Sequence, residues 1–175
     1  MKILSFAASN NENSINQILA NYVANLHPTA QVETLAIDDY EMPIFSDKRE
    51  RELGQPDLAK QFFAKIAQAD ALVVSFAEHN GSYSAAYKNL FDWTSRISQQ
   101  LFQNKPTIYL STSPGAGGAA SVLAAATNSA PHFAADVKAS ISLPSFYKNF
   151  DTDNNQLLNL EIKAQLIQAV AKLDH

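Results

Sequence analysis

The sequence predicts a three-layer α/β sandwich around a five-stranded parallel sheet, with strand order 2-1-3-4-5. Three observations predict it. Strand-like and helix-like segments alternate from end to end. The third strand segment, ALVVSF, is apolar on consecutive residues, as a central strand buried on both faces must be. The second and fifth segments are partly polar, which places them at the edges.

The elements follow in order. Lys2 to Ala7 is the first strand. In the next helix Ile15, Ile18, Leu19, Tyr22, Val23 and Leu26 recur at helical spacing and form one apolar face. Gln31 to Ile37 is the second strand, and a long polar loop with Pro43, Gly54 and Pro56 follows. Asp57 to Gln68 is a helix with Leu58, Phe62 and Ile66 on one side. After the third strand, Ala71 to Phe76, a helix over Ser84 to Leu101 carries Tyr87, Phe91, Thr94, Ile97 and Leu101 on one face. Thr107 to Ser111 is the fourth strand, and a helix starts near Gly117 or Gly118. In the fifth strand, Asp136 to Leu143, Val137, Ala139, Ile141 and Leu143 alternate with Lys138, Ser140 and Ser142, so one face is wet. A polar turn, DTDNN, leads to a last helix with Ile162, Leu166, Val170 and Leu173 on its face. The 175 residues read as a single domain, residues 1-175, without repeat or linker.

Composition narrows the functions. Hydrophobic residues make up 46%, enough for a sizeable core. A net charge of -4 with no long basic run leaves no footprint for nucleic acid. The chain has no cysteine, which excludes disulfides, thiolate catalysis and zinc–thiolate sites. The opening MKILSFAASNN is too short for a signal segment and reads as a buried strand. No stretch approaches the ~20 apolar residues of a membrane span. A cytoplasmic protein with no nucleic-acid or membrane partner is expected.

In sheets of this order ligands bind at the carboxyl ends of the strands, beside the switch point between strands one and three. Three loops meet there. The first, Ala8 to Ser14, has no glycine and so matches neither nucleotide fingerprint. Ser9, Asn10, Asn11, Asn13, Ser14 and Asn16 offer hydroxyls and amides at a helix N-terminus, which can hold a phosphate without a formal positive charge. The same residues serve equally as a helix cap and turns. The second loop, Ala77 to Ser82, carries the Asn80-Gly81 turn signal. Glu78 and His79 are a candidate proton-transfer pair, but no nucleophile or metal partner accompanies them. Backbone donors and a flat wall are the more natural contribution of that loop. In the third, Thr112 to Gly118, three glycines allow close approach of a ligand to the backbone, and Ser113 is not in a hydrolase elbow. Asp38, Asp39 and Glu41 read as a solvated acidic loop, and Lys48, Arg49 and Arg51 as surface. His27, His132 and His175 lack metal-ligand spacing, so no metal is expected.

Taken together, the three loops resemble the NAD(P)H-dependent FMN reductase family, which includes flavin, quinone, azo-dye and chromate reductases. The family's first loop, G-S-x-R-x-x-S-x-N-x-x-L, is similar to the run from Ala8 through Ser9, Asn11, Ser14 and Asn16 to Leu19. Its central motif, P-E-Y-N-x-S-x-x-x-x-L-K-N-x-x-D-W, is similar to the run from Ala77 to Ser82 that ends in Tyr87-Lys88-Asn89 and Asp92-Trp93. Ser113 to Gly118 looks like its glycine loop, and Met42 to Asp47 like the loop after its second strand. Asn11 stands where the family carries arginine, beside Glu12; Ala77 replaces a proline and His79 a tyrosine. The missing arginine removes a charge-assisted hydrogen bond worth on the order of 1 kcal/mol or more.

The resemblance implies a flavodoxin-like fold and an FMN site. FMN phosphate would sit at Ser9, Asn11, Ser14 and Asn16, with Ile15 in the same loop. The isoalloxazine would lie between Ala77, Glu78, His79, Asn80 and Gly81 on one side and Ser113, Pro114, Gly115, Ala116 and Gly117 on the other. Hydride would pass from NADPH or NADH through FMN to a small-molecule electron acceptor such as a quinone or free flavin. The flavin carries that chemistry, so no catalytic side chain is required. A homodimer or homotetramer would complete the site. Trp93 lies off the stripe set by Tyr87, Phe91 and Thr94, and a second subunit is expected to cover it; packing under a loop is the alternative. Two rivals share the fold: a flavodoxin-type electron carrier and a flavin-free member with a degenerate site. The modest net charge and the Lys88-Asn89/Asp92-Trp93 match favour the reductase.

Overall fold

Every residue from Ile3 to Ala8 and from Ala71 to Phe76 is buried, which forces these two strands into the middle of the sheet. The computed structural model describes residues 1–174; His175 lies outside the described residues. Along the chain come β1 (Lys2–Ala8), α1 (Ile15–Ala24), β2 (Gln31–Leu35), α2 (Asp47–Leu53), α3 (Asp57–Gln68) and β3 (Ala71–Phe76). A small hairpin follows, β4 (Glu78–His79) with β5 (Ser82–Tyr83), then α4 (Ala85–Ser95), β6 (Pro106–Thr112), α5 (Ala120–Ser129) and β7 (Asp136–Leu143). The chain closes with α6 (Phe146–Asn149), a second hairpin of β8 (Phe150–Asp151) and β9 (Gln156–Leu157), and α7 (Leu160–Ala171).

The five long strands are all parallel, in the order β2-β1-β3-β6-β7. This is the expected 2-1-3-4-5 order, with β2 and β7 at the edges. Alternation within the strands builds two cores. Leu4, Phe6, Leu72, Val74 and Phe76 pack with Phe62 of α3, Leu90 of α4 and Val122 of α5. Ile3, Val73, Ile108 and Leu110 pack on the other face with Leu19 and Val23 of α1 and Leu166 and Val170 of α7. Each fully buried Phe or Leu contributes roughly 1.5–3 kcal/mol, which is why both faces are sealed by helices.

Several elements depart from the sequence expectation. The second strand stops at Leu35, and Ile37–Tyr40 turns as a 3-10 helix. The polar loop after it contains α2, which buries no residue and so shows no apolar stripe. Its signals are local: Ser46 accepts from the Arg49 N–H, and Gly54 ends the helix at φ +67°. The α4 helix ends at Ser95, short of Leu101, although Leu101 still reaches the core. The DTDNN stretch is the tip of the β8–β9 hairpin.

The β7 alternation is broken by a bulge. Thr107 faces Val137 and Ile108 faces Ala139, so Lys138 is the extra residue. Val137 therefore packs into the first core, while Ala139 and Ile141 face the second. Neither face of β7 is simply wet.

Trp93 corrects the expected interface. It is fully buried within the chain, its Nε1 donates to the Pro43 carbonyl at 2.7 Å, and its ring meets Phe45 edge-on at 5.1 Å. No second subunit is needed to cover it; the loop from Met42 to Phe45 does so. Asn89 holds the same loop, donating to the Met42 carbonyl at 2.9 Å and accepting from the Phe45 N–H at 2.8 Å. Lys88 and Asp92 pair one turn apart at 2.7 Å. The Lys-Asn-x-x-Asp-Trp stretch is thus a clamp on the loop after β2.

Candidate functional site

The β1, β3 and β6 strands end side by side, and their three following loops enclose a cavity of about 240 Å³. The first loop supplies Ser9, Asn11, Asn13, Ser14, Ile15 and Asn16; the second supplies Ala77, Glu78 and His79. Thr112, Ser113 and Pro114 close the third side, and Tyr147 of α6 reaches over the edge. The loops read from the sequence are therefore brought together at the expected switch point.

The first loop is ordered by its own polar groups. Ser14 caps α1, accepting from the Gln17 N–H at 3.3 Å. Ser9 accepts from the Asn11 N–H at 3.2 Å, and the Asn11 side-chain oxygen accepts from the Asn13 N–H at 2.9 Å. In each case the oxygen accepts, so the donors left unspent are two O–H groups and one amide N–H₂. The first N–H groups of α1, at Ile15 and Asn16, have no partner within the helix and carry its partial positive charge. The loop offers donors from five positions and no cation; its one charged side chain is the exposed Glu12.

Asn16 has a different job. Its oxygen accepts from Ser75 Oγ at 2.7 Å and from the Thr112 N–H at 3.1 Å, and its nitrogen donates to the Thr112 carbonyl at 3.2 Å. The side chain is 3% exposed and rivets α1 to β3 and β6. It lines the cavity floor, but its amide is committed inward.

Glu78 is committed as well. Its carboxylate accepts from the Val122 N–H at 2.9 Å. Helix α5 begins after Ala119, which sits at φ +57° and has no capping side chain, so Glu78 does the capping from another element. A proton-transfer pair with exposed His79 is not what the geometry builds. Asn80 (φ +53°) and Gly81 (φ +78°) form the tight turn of the β4–β5 hairpin, the conformation an Asn-Gly pair favours. Burial pushes the Tyr87 and Tyr109 hydroxyls well up from the usual tyrosine value, so these neighbouring rings stay neutral.

The glycine loop divides. Gly115, Ala116 and Gly117 are exposed and stand outside the cavity lining, as do Asn80 and Gly81. A Cβ at Gly118 (φ +58°) would collide with Ser142 Oγ and lie 3.1 Å from the Pro144 backbone. That glycine serves β7 packing, and its carbonyl accepts from Ser111 at 2.7 Å and Ser142 at 2.8 Å. Tyr147 was not anticipated, and Thr112 only as the start of the third loop. Thr112 ends β6 at the sheet's carboxyl edge, a position that marks it; nothing in the sequence marks Tyr147. Among the described residues no cluster of His, Cys, Asp and Glu could hold a metal, the Asp38–Glu41 stretch included.

Comparison with known proteins places this geometry. The family model described as NADPH-dependent FMN reductase matches residues 1–148. The chain is similar to a 2-hydroxy-1,4-benzoquinone reductase of a Burkholderia species, 32% identical over 121 residues, covering 69% of this chain and 64% of the relative. It is equally similar to an NAD(P)H-dependent FMN reductase of Pseudomonas aeruginosa, 32% identical over 120 residues with the same coverage. The chain thus spans about 64% of the length of these curated relatives. Among solved structures, a flavoenzyme NAD(P)H:(acceptor) oxidoreductase from Paracoccus denitrificans superposes with a TM-score of 0.76 at 23% identity, covering 98% of this chain and 94% of the other. The fold is shared with that flavoenzyme, and by the extent of the family match this chain belongs to the NADPH-dependent FMN reductase family.

Proposed function

We propose that this chain binds FMN in the cavity at the ends of β1, β3 and β6. There it passes reducing equivalents from NADPH or NADH to a small acceptor such as a quinone or free flavin. The observation that carries this is the donor set of the Ser9–Ser14 loop at a helix N-terminus. Ser9, Asn11 and Ser14 line the cavity with their donor groups unspent, and the Ile15 and Asn16 N–H groups sit at the positive end of α1. Such a set fits the oxygens of a phosphorylated ribityl chain. Bound FMN would supply the hydride chemistry. The protein's own share is positioning: Ala77, Glu78 and His79 form one wall, Ser113 and Pro114 the other. Asn80, Gly81, Gly115, Ala116 and Gly117 are exposed and outside the lining, and the Gly117 and Ala116 N–H groups are the ones we assign to stabilising charge on the flavin ring.

A cavity of about 240 Å³ is smaller than a typical small-molecule pocket of ~300–1,000 Å³. We therefore propose that a second copy completes it, in a homodimer or homotetramer. Among the described residues no helix is long and apolar enough to cross a membrane, and a cytoplasmic location is part of this proposal. Titrating FMN into the protein under anaerobic conditions, then adding NADPH or NADH, tests the function through the flavin absorption band. Binding followed by bleaching is expected. No binding at tens of micromolar FMN rejects the site. Binding without bleaching by either nucleotide points to an electron carrier instead. Light scattering at micromolar protein tests the assembly, and a monomer rejects it.

A further inference from the structure

The donor cavity carries almost no compensation for a doubly charged ligand. Among the described residues no lysine or arginine lines it. Its one acidic residue, Glu78, keeps a carboxylate at the wall, engaged with the Val122 N–H. Glu12 adds a second carboxylate on the exposed side of the Ser9–Ser14 loop, 3.5 Å from the Asn13 side-chain nitrogen. The cation nearest in sequence to the lining is Lys148, which follows Tyr147 and is not itself part of it. Of the lining side chains only the exposed His79 is of a type that can carry positive charge; the other source is the α1 terminus, about half an elementary charge and screened by solvent at an open site.

Neutral donors treat a hydroxyl and a phosphate more evenly than cations do. A hydroxyl or amide donor gives a hydrogen bond to any oxygen, and a charged acceptor about doubles the strength of each such bond. Bringing a dianion to a cavity walled by the Glu78 carboxylate, with exposed Glu12 on the same loop as the donors, opposes that gain, and partial desolvation penalises charge far more than it penalises a hydroxyl. We propose that this cavity recognises the ribityl chain and its terminal oxygen more than the phosphate charge, so that it binds riboflavin within about thirtyfold of FMN. The proposal rests on the FMN-site reading above and sharpens it: the ligand class is flavins with a free or phosphorylated ribityl end. Residue 11 is the discriminating position, since its side chain faces the cavity with only a neutral amide donor.

Flavin fluorescence titrations of the purified protein, stripped of bound flavin, measure both affinities directly. FMN and riboflavin are expected to differ by less than about thirtyfold, and FMN affinity to change less than about threefold between roughly 50 and 500 mM NaCl. FMN preferred by more than about thirtyfold overturns the proposal while leaving the flavin site standing. Failure of both flavins to bind overturns the site reading, and the proposal with it. Asn11→Arg is expected to raise the FMN-to-riboflavin preference by about tenfold or more at low salt and to lose that gain at high salt. An unchanged preference removes residue 11 as the discriminator. Since Asn11 also orders the loop through Asn13, Glu12→Gln provides a second reading that adds no bulk. It is expected to raise the preference by about two- to threefold at low salt, and no rise overturns the charge argument.

Discussion

The Ser9–Ser14 loop and the Met42–Phe45 loop are each held by an asparagine side chain, used in opposite directions. In the first, Asn11 spends its oxygen on the Asn13 N–H and keeps its nitrogen for the cavity. In the second, Asn89 spends both ends of its amide on the Met42 and Phe45 backbone, and Trp93 adds a bond to Pro43. One loop is held by its own backbone so that donors point out. The other is held from α4 so that nothing is left over. A motif shared with a family of enzymes can therefore be scaffold in one half and site in the other, and hydrogen-bond accounting separates them.

The largest expected effect breaks the clamp. Trp93→Ala removes a fully buried ring and its bond to Pro43, and should cost about 3–5 kcal/mol in chemical denaturation. A loss under about 1 kcal/mol would show that the loop is not part of the cooperative fold. Next comes Asn89→Ala, which leaves the Met42 carbonyl and Phe45 N–H unpaired. A destabilisation of about 1–3 kcal/mol is expected, with flavin affinity little changed because Asn89 lies outside the cavity.

The other loop should answer in the opposite sense. Ser14→Ala loses the α1 cap, roughly 1 kcal/mol of stability, and a similar amount of flavin binding energy. Asn11→Ala, at an exposed position, should move stability by no more than about 0.5 kcal/mol while still weakening FMN in the fluorescence titration. If both asparagine variants shifted stability alone, the division between site and scaffold would collapse.

The smallest effect lies away from both loops and calibrates them. Lys2 and Lys65 flank Glu33 at 2.6 and 2.7 Å, and their hydrogen bonds, Lys2's first, hold its carboxyl below the usual carboxylate range. The folded chain therefore takes up this proton later than the unfolded chain as pH falls. The contribution is present above the unfolded value near 4.3 and is lost as pH drops through the lower folded value. Glu33→Gln should cost about 0.5 kcal/mol at pH 7, discounted for exposure, and nothing at strongly acid pH in pH-dependent denaturation. A cost that persists in acid would mean packing rather than charge.

By itself the sequence determined the sheet order, the two cores and the three loops that meet at the switch point. Central strands must be apolar on both faces, and helices must show one apolar stripe, so ALVVSF and the Ile15–Val23 pattern carry those answers locally. The Asn80-Gly81 turn is legible for the same reason, because left-handed backbone selects those residues. Helix α2 was hidden because it buries nothing, and the β7 phase because a bulge at Lys138 leaves no compositional trace. Only the tertiary structure decided which polar groups are free. Asn16 reaches Thr112, Glu78 reaches Val122 and Trp93 reaches Pro43, across 96, 44 and 50 residues of chain. A buried polar group must find a partner, but sequence spacing cannot say which one once the partner is brought by folding rather than by the neighbouring turn.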